Sequence, residues 1–243
     1  MAPGRIEAVA GRGSSTITFD LFDYDESDYD LLFSSKLDLL LAVNTATNID
    51  FAGPHRRKPL RETTVYPRPA RPLPIWLGTG GSPNSVIRAA ELGVPMFIGI
   101  LGGTPEHWAR YGHAYRNAWT QTGRPADRSR IAVAVHGFIG PDNAEAKATY
   151  LRHELAMFAT GAAEAGRPPM TPTGREHDLQ PGGMVFAGNP DEIADRIIHL
   201  HQLLRHDRQI LQMDVGGMPQ TELLRSIELL GTEVAPRVRK ALS

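Results

Sequence analysis

Several short stretches place glycines, a hydroxyl or an arginine directly after an apolar run, and such stretches can hold an anion. In Gly78-Thr79-Gly80-Gly81-Ser82-Pro83 the preceding run is Ile75-Trp76-Leu77. Glycines let a backbone turn tightly and bring its N–H groups against a ligand, and a following helix aims its positive end at the same spot. Thr79 and Ser82 add hydroxyls, with Ser82 in the N-cap position. The same residues also make an ordinary capped strand-to-helix turn, so a phosphate cradle and a structural turn are both open. Gly11-Arg12-Gly13-Ser14 offers an arginine able to grip a phosphate or carboxylate through two parallel bonds, or a surface arginine on a turn. The strings LGGTP (101–105), with Gly102 and Gly103, and VGGMP (215–219) repeat the pattern more weakly. In all three GG strings proline is expected at the first helical position, where its missing N–H would be unpaired anyway.

Of the nine histidines, His136 alone sits on a predicted strand that runs into a loop. It is placed either to face a site at the strand end or to be a buried structural histidine. His199, His201 and His206 lack the four-residue spacing that puts two ligands on one helical face, so no metal site is expected. The run FDLFDYDESDYD has Asp28 where a calcium loop needs glycine and Ser34 where it needs glutamate; its acids suit the start of a helix. Arg68 and Arg71, set among prolines, are surface charges or frame a pocket mouth.

The elements that must position these residues alternate short apolar runs with longer amphipathic ones, the signature of βα units feeding a parallel sheet. Strands are predicted at 6–10, 75–78, 96–100, 131–138 and 209–215, and helices at about 27–43, 83–92, 105–122, 143–165 and 219–242. Two stretches break the alternation. Residues 45–74 carry six prolines and a β-like 63–66. Residues 166–183 are rich in Pro and Gly and lead to a short β-like 184–187 and a helix at about 190–205. Both read as insertions, at about 45–74 and 166–188, on a single α/β domain spanning 1–243.

Composition closes several classes. With 26 Lys+Arg against 27 Asp+Glu over 243 residues, no electrostatic grip on nucleic acid or an acidic membrane is expected. No cysteine means no disulfide, no thiolate catalysis and no Cys-ligated metal. No apolar run approaches the roughly 18 residues that cross a bilayer, and the N-terminus does not read as a signal peptide, so the expected location is cytoplasmic.

Taken together, VAGRGS (9–14), VYPRPARPLPIWLGTGGSPNSVIRAAELG (65–93), GNPDEIADRI (188–197) and LQMDVGGMPQTELLRSIELLGTEVAPRVR (211–239) resemble the bacterial luciferase-like monooxygenases. The resemblance implies a TIM barrel that binds reduced FMN, or in some branches a deazaflavin, at the carboxyl ends of its strands. It implies reaction of the flavin with O2 and oxidation of a small organic substrate through a peroxyflavin, with a separate NAD(P)H-dependent reductase supplying the flavin. By position, Thr79, Gly80, Gly81 and Ser82 look like the family's phosphate-side flavin contact, and Gly11, Arg12 and Gly13 like a turn bordering the flavin; Gly102 and Gly103 join them as cofactor-side candidates. Family members start with about three further βα units, so the expectation is an incomplete barrel, about five of eight units, resembling the C-terminal two-thirds of such a protein and pairing with itself or a longer homologue. The competing expectations are a non-catalytic remnant or partner subunit, and a barrel that holds a sugar phosphate at the glycine turns.

Overall fold

The computed structural model describes residues 4–13, 17–164, 168 and 171–243. Ser14 of the arginine turn, Ala165 at the predicted helix end, and residues 166, 167, 169 and 170 of the second predicted insertion lie outside them. The chain forms two compact units, Met1–Gly78 and Thr79–Ser243.

The first unit contains β1 (Ala8–Ala10), α1 (Ile17–Leu21), a 3-10 turn at Glu26–Asp28, α2 (Tyr29–Thr45), β2 (Ile49–Phe51), β3 (Leu60–Thr63) and most of β4 (Ile75–Thr79). β1 and β4 run parallel, with Ala8, Val9 and Ala10 opposite Ile75, Trp76 and Leu77. The acidic run behaves as helix-start chemistry: the Asp25 carboxylate accepts from Ser27 N at 2.8 Å, and Asp30 lies in the first turn of α2. The region read as irregular contains an antiparallel hairpin, β2 with β3, and its second strand is 60–63 instead of 63–66. Prolines 67, 69, 72 and 74 have no N–H to give a ladder, which keeps the strand upstream of them. The proline segment reaches β4 on a two-point clamp, Asn44 Nδ2 donating to Leu73 O and Leu73 N donating to Asn44 Oδ1, both at 2.9 Å.

The second unit continues with α3 (Pro83–Leu92), β5 (Met96–Ile100), α4 (Pro105–Gln121), β6 (Ile131–Ile139), α5 (Asn143–Glu164), α6 (Pro172–Leu179), β7 (Phe186–Gly188), α7 (Pro190–Leu204), β8 (Arg208–Gln212), α8 (Gln220–Leu229) and α9 (Ala235–Leu242). β6 is its centre: β5 pairs with it over Ile131–Val135, β8 over Ala132–His136 and β7 over Gly137–Ile139, all parallel. Strands covered on both faces read as continuous apolar runs, which is why 96–100 and 131–138 were legible from sequence. Register fixes the level of His136. It stands opposite Gln212, the last residue of β8, and one step beyond Val135, which faces Ile100, the last residue of β5. His136 is therefore at the carboxyl ends of both neighbouring strands. On the α5 side, Phe138, Ala146, Tyr150, Leu179, Val185, Ala187, Val215 and Met218 form one buried cluster.

Three expectations change in this unit. Within 166–183, which the sequence predicts as loop, α6 forms. The single C-terminal helix is interrupted by a π-turn at Leu230–Val234, and Pro219 is its N-cap and not its first helical residue.

Candidate functional site

The 79–82 turn leaves β4 and opens α3. Thr79 is buried, and its hydroxyl donates to Phe97 O at 3.2 Å. The space where a side chain of Gly80 would start is open. Gly81 has φ +91°, a conformation natural to glycine, and a Cβ on it would stand 3.2 Å from the Trp108 ring. Ser82 is the N-cap of α3 with extended backbone, but its hydroxyl makes no capping hydrogen bond. Pro83 has no N–H and Ser85 and Val86 donate theirs to Ser82 O at 3.1 and 3.3 Å, which leaves the Asn84 N–H at the positive end of this ten-residue helix with no capping side chain.

The 101–104 turn has the same grammar and a different outcome. Gly103 has φ +92°, and its N–H donates to Asp178 Oδ1 at 3.0 Å. Arg175 Nη1 donates to Leu101 O, and Trp108 Nε1 donates to Gly102 O at 2.9 Å. A Cβ on Gly102 would lie 2.8 Å from Asp178 Oδ2. Thr104 caps α4 with its own hydroxyl, which accepts from His107 N at 3.4 Å. Trp108 touches both turns, its ring edge against Gly81 and its indole nitrogen against Gly102 and Gly103.

Behind the second turn lies a buried polar network. Arg175, 4% exposed, gives Nε to Glu154 Oε2 at 2.8 Å, Nη2 to Glu154 Oε1 at 2.7 Å and Nη1 to Asp178 Oδ2 at 2.7 Å. Glu154 has no exposed surface and also accepts from Tyr150 Oη at 2.6 Å. His136 Nδ1 lies 3.1 Å from Tyr150 Oη and 3.3 Å from Glu154 Oε1. Burial alone would raise the Glu154 carboxyl, but the bonds from Arg175, His136 and Tyr150 outweigh it and hold it at about 2. Burial first, and then the same carboxylate, pushes the Tyr150 phenol up, so it keeps its proton. Burial lowers Arg175, and the bonds to Glu154 more than reverse that, so it stays a cation. With Tyr150 giving its hydrogen to Glu154, the two oxygens beside His136 Nδ1 are both acceptors. The network thus assigns the proton to Nδ1.

The sequence candidates divide between the units. Thr79, Gly80, Gly81, Ser82, Gly102, Gly103 and His136 are joined in the second through Trp108 and the Arg175 network. Gly11, Arg12 and Gly13 lie in the first, and there Arg12 has a partner within the chain: Nη1 reaches Asp30 Oδ1 at 2.6 Å, and the guanidinium lies over the Tyr29 ring. Tyr29 Oη donates to Gly13 O at 2.7 Å. Asp30 belongs to the acidic run that reads as helix start, and the pair with it is single-point. Arg68 and Arg71 do frame a cavity, of about 690 Å3, at the amino ends of β1 and β4 together with Ile6, Glu7 and Leu73. His201 Nδ1 bonds His206 O at 2.9 Å, and burial first, then the His201 charge, brings the His206 imidazole down to about 4. Among the described residues no group of three or more His, Asp or Glu side chains is placed to hold a metal, and no helix is long and apolar enough to cross a membrane.

Trp108, Tyr150, Glu154, Arg175 and Asp178 were not anticipated. A signal for Glu154 existed: Ala146, Tyr150 and Glu154 recur every four residues, so an acid sits on the buried stripe of α5.

A family model described as luciferase-like monooxygenase matches residues 1–207. Monooxygenase RslO1 from Streptomyces bottropensis superposes with a TM-score of 0.77 at 19% identity, over 96% of this chain and 69% of that one. The oxygenating constituent of 3,6-diketocamphane monooxygenase from the CAM plasmid of Pseudomonas putida, solved with FMN, gives 0.71 at 17% identity over 97% and 72%. An F420-dependent secondary alcohol dehydrogenase in complex with an F420-acetone adduct gives 0.72 at 14% over 98% and 71%. At such identities the likeness carries the fold alone: this chain has the luciferase-like α/β barrel fold over about seven-tenths of each of these proteins.

Proposed function

This chain belongs to the luciferase-like monooxygenase family, and on that premise we propose that it is a flavin-dependent oxidoreductase acting on a small organic substrate with O2. The observation that carries the proposal is the open 79–82 turn, with space at Gly80, a hydroxyl on Ser82 that caps nothing, and the Asn84 N–H at the positive end of α3. These fit the phosphate end of FMN or of a deazaflavin such as the one named for a structural neighbour. Bound reduced, FMN would supply two electrons to O2, one oxygen atom entering the substrate and the other leaving as water, whereas a deazaflavin would exchange a hydride with the substrate.

The chain's own residues then have distinct tasks. The Asn84 N–H, Gly80 and Ser82 hold the phosphate. Trp108 packs the two glycine turns together and keeps water from between them. His136 is held at the strand carboxyl ends with Nδ1 fixed on Glu154 and Tyr150, so its ring orientation there is set. A separate NAD(P)H-dependent reductase is the proposed source of reduced flavin. The test is titration of the purified chain with FMN and with a deazaflavin, followed by O2 uptake with a reductase present. Micromolar binding and flavin-coupled O2 consumption are expected; absence of both overturns the reading.

A further inference from the structure

We propose that α6 is a latch, in which Asp178 and Arg175 are positioning residues that set the shape of the 101–104 turn and, through it, the affinity of the neighbouring cofactor turn. The inference rests on the cofactor reading above but concerns residues that touch no cofactor in it.

Three observations carry it. First, two side chains of one short helix grip the backbone of a turn some 75 positions away: Asp178 takes the Gly103 N–H and Arg175 takes the Leu101 carbonyl. The turn is shaped to receive them, since any side chain at Gly102 would strike the Asp178 carboxylate. Second, the grip is anchored in the interior. Arg175 uses its remaining donors on Glu154, which in turn meets His136 and Tyr150, so turn and histidine share one rigid support. A buried charge cluster of this kind is weak evidence for stability, because well-packed apolar residues of the same volume often do as well. Its distinguishing property is directional: it fixes where backbone groups point. Third, the turn so held passes its position on. Trp108 bonds Gly102 O and lies against Gly81, the glycine at the centre of the 79–82 turn.

Asp178 also fills the place a ligand anion would take at Gly103. An internal carboxylate there directs an incoming phosphate to 79–82 and leaves the 101–104 turn as its buttress. This separates the roles of two sequences that look alike.

The experiment uses the full chain. Asp178→Ala removes the contact to Gly103 while leaving the Arg175–Glu154 pair intact, and Asp178→Asn retains an acceptor for Gly103. In the cofactor-free protein, amide exchange at Gly103 is expected to speed up about tenfold or more in Asp178→Ala and the Trp108 indole N–H resonance to move, with Asp178→Asn between it and wild type. FMN binding, read by flavin fluorescence, is expected to weaken about tenfold in the same order. Unchanged Gly103 exchange and Trp108 resonance in Asp178→Ala overturn the latch, and so does a loosened turn with unchanged FMN affinity. If the wild-type chain binds neither FMN nor deazaflavin while Gly103 and Trp108 respond as stated, the proposed function falls and the grip on the turn stands.

Discussion

The two glycine turns of the second unit, 79–82 and 101–104, share a strand, a glycine pair with the second glycine at φ near +90°, a hydroxyl N-cap and a proline opening the helix. Their polar groups end up in opposite states. At 101–104 every feature that could meet a ligand meets the protein instead: Thr104 caps its own helix, Asp178 takes Gly103, and Arg175 takes Leu101. At 79–82 the serine caps nothing and the space at Gly80 is open. The same grammar thus specifies a brace in one place and a receptor in the other, and the difference lies in side chains from α5 and α6, far away in sequence. A glycine turn is a candidate site only when the rest of the chain leaves it unsatisfied.

The sharpest way to break this contrast is to remove the brace. Arg175→Met leaves Glu154 buried without its cation and is expected to destabilise the chain by about 3–5 kcal/mol, measured by urea unfolding. The double replacement Glu154→Leu with Arg175→Met is expected to recover most of that loss, because the uncompensated charge is then gone. If the single variant unfolds like wild type, the network is not the support described.

Acid tests the same brace without mutation. The Glu154 carboxyl sits at about 2 in the folded chain against an ordinary 4.5, so its contribution is fully present above pH 4.5 and is lost as pH falls from 4.5 through about 2. At about 1.4 kcal/mol per pH unit this is on the order of 3 kcal/mol. Glu154→Gln is expected to flatten the stability profile in that window and leave its shape near neutral pH unaltered. A wild-type profile already flat below pH 4.5 would contradict the assignment.

How much of this was legible beforehand follows the same division. The strands 96–100 and 131–138 and the helix 83–92 came through because buried parallel strands and amphipathic helices write their periods locally. The β2–β3 hairpin did not: its strands are three and four residues long with a single buried residue, Ile49, and no alternation to read. The Arg12–Asp30 pair is not legible locally, because Asp30 is 18 residues on, inside a run whose acids suit a helix start. α6 was hidden for a different reason. Its eight residues, PTGREHDL, carry one buried aliphatic, Leu179, and its Arg175 is held by Glu154 and Leu101 through contacts 21 and 74 positions apart. Periodicity cannot reveal a helix that is placed by charge.

A smaller effect separates the two caps. Thr104→Ala removes a hydroxyl that accepts from His107 N and is expected to cost about 0.5–1 kcal/mol, at the lower end for a cap because that bond is long. Thermal unfolding of the variant beside wild type measures it, and no loss would mean that α4 is held without its cap.

Ser82→Ala is the matching change at the open turn, and the contrast predicts the opposite pattern. Since the Ser82 hydroxyl caps nothing in the free chain, unfolding free energy is expected to change by less than about 0.5 kcal/mol. Since the same hydroxyl is assigned to a phosphate, FMN affinity is expected to fall roughly tenfold, the scale of one hydrogen bond to a charged group. Thr104→Ala should lower stability with little change in FMN affinity, and Ser82→Ala should do the reverse. Stability loss in both variants with no effect on FMN would make the two turns equivalent caps and remove the distinction on which the receptor assignment depends.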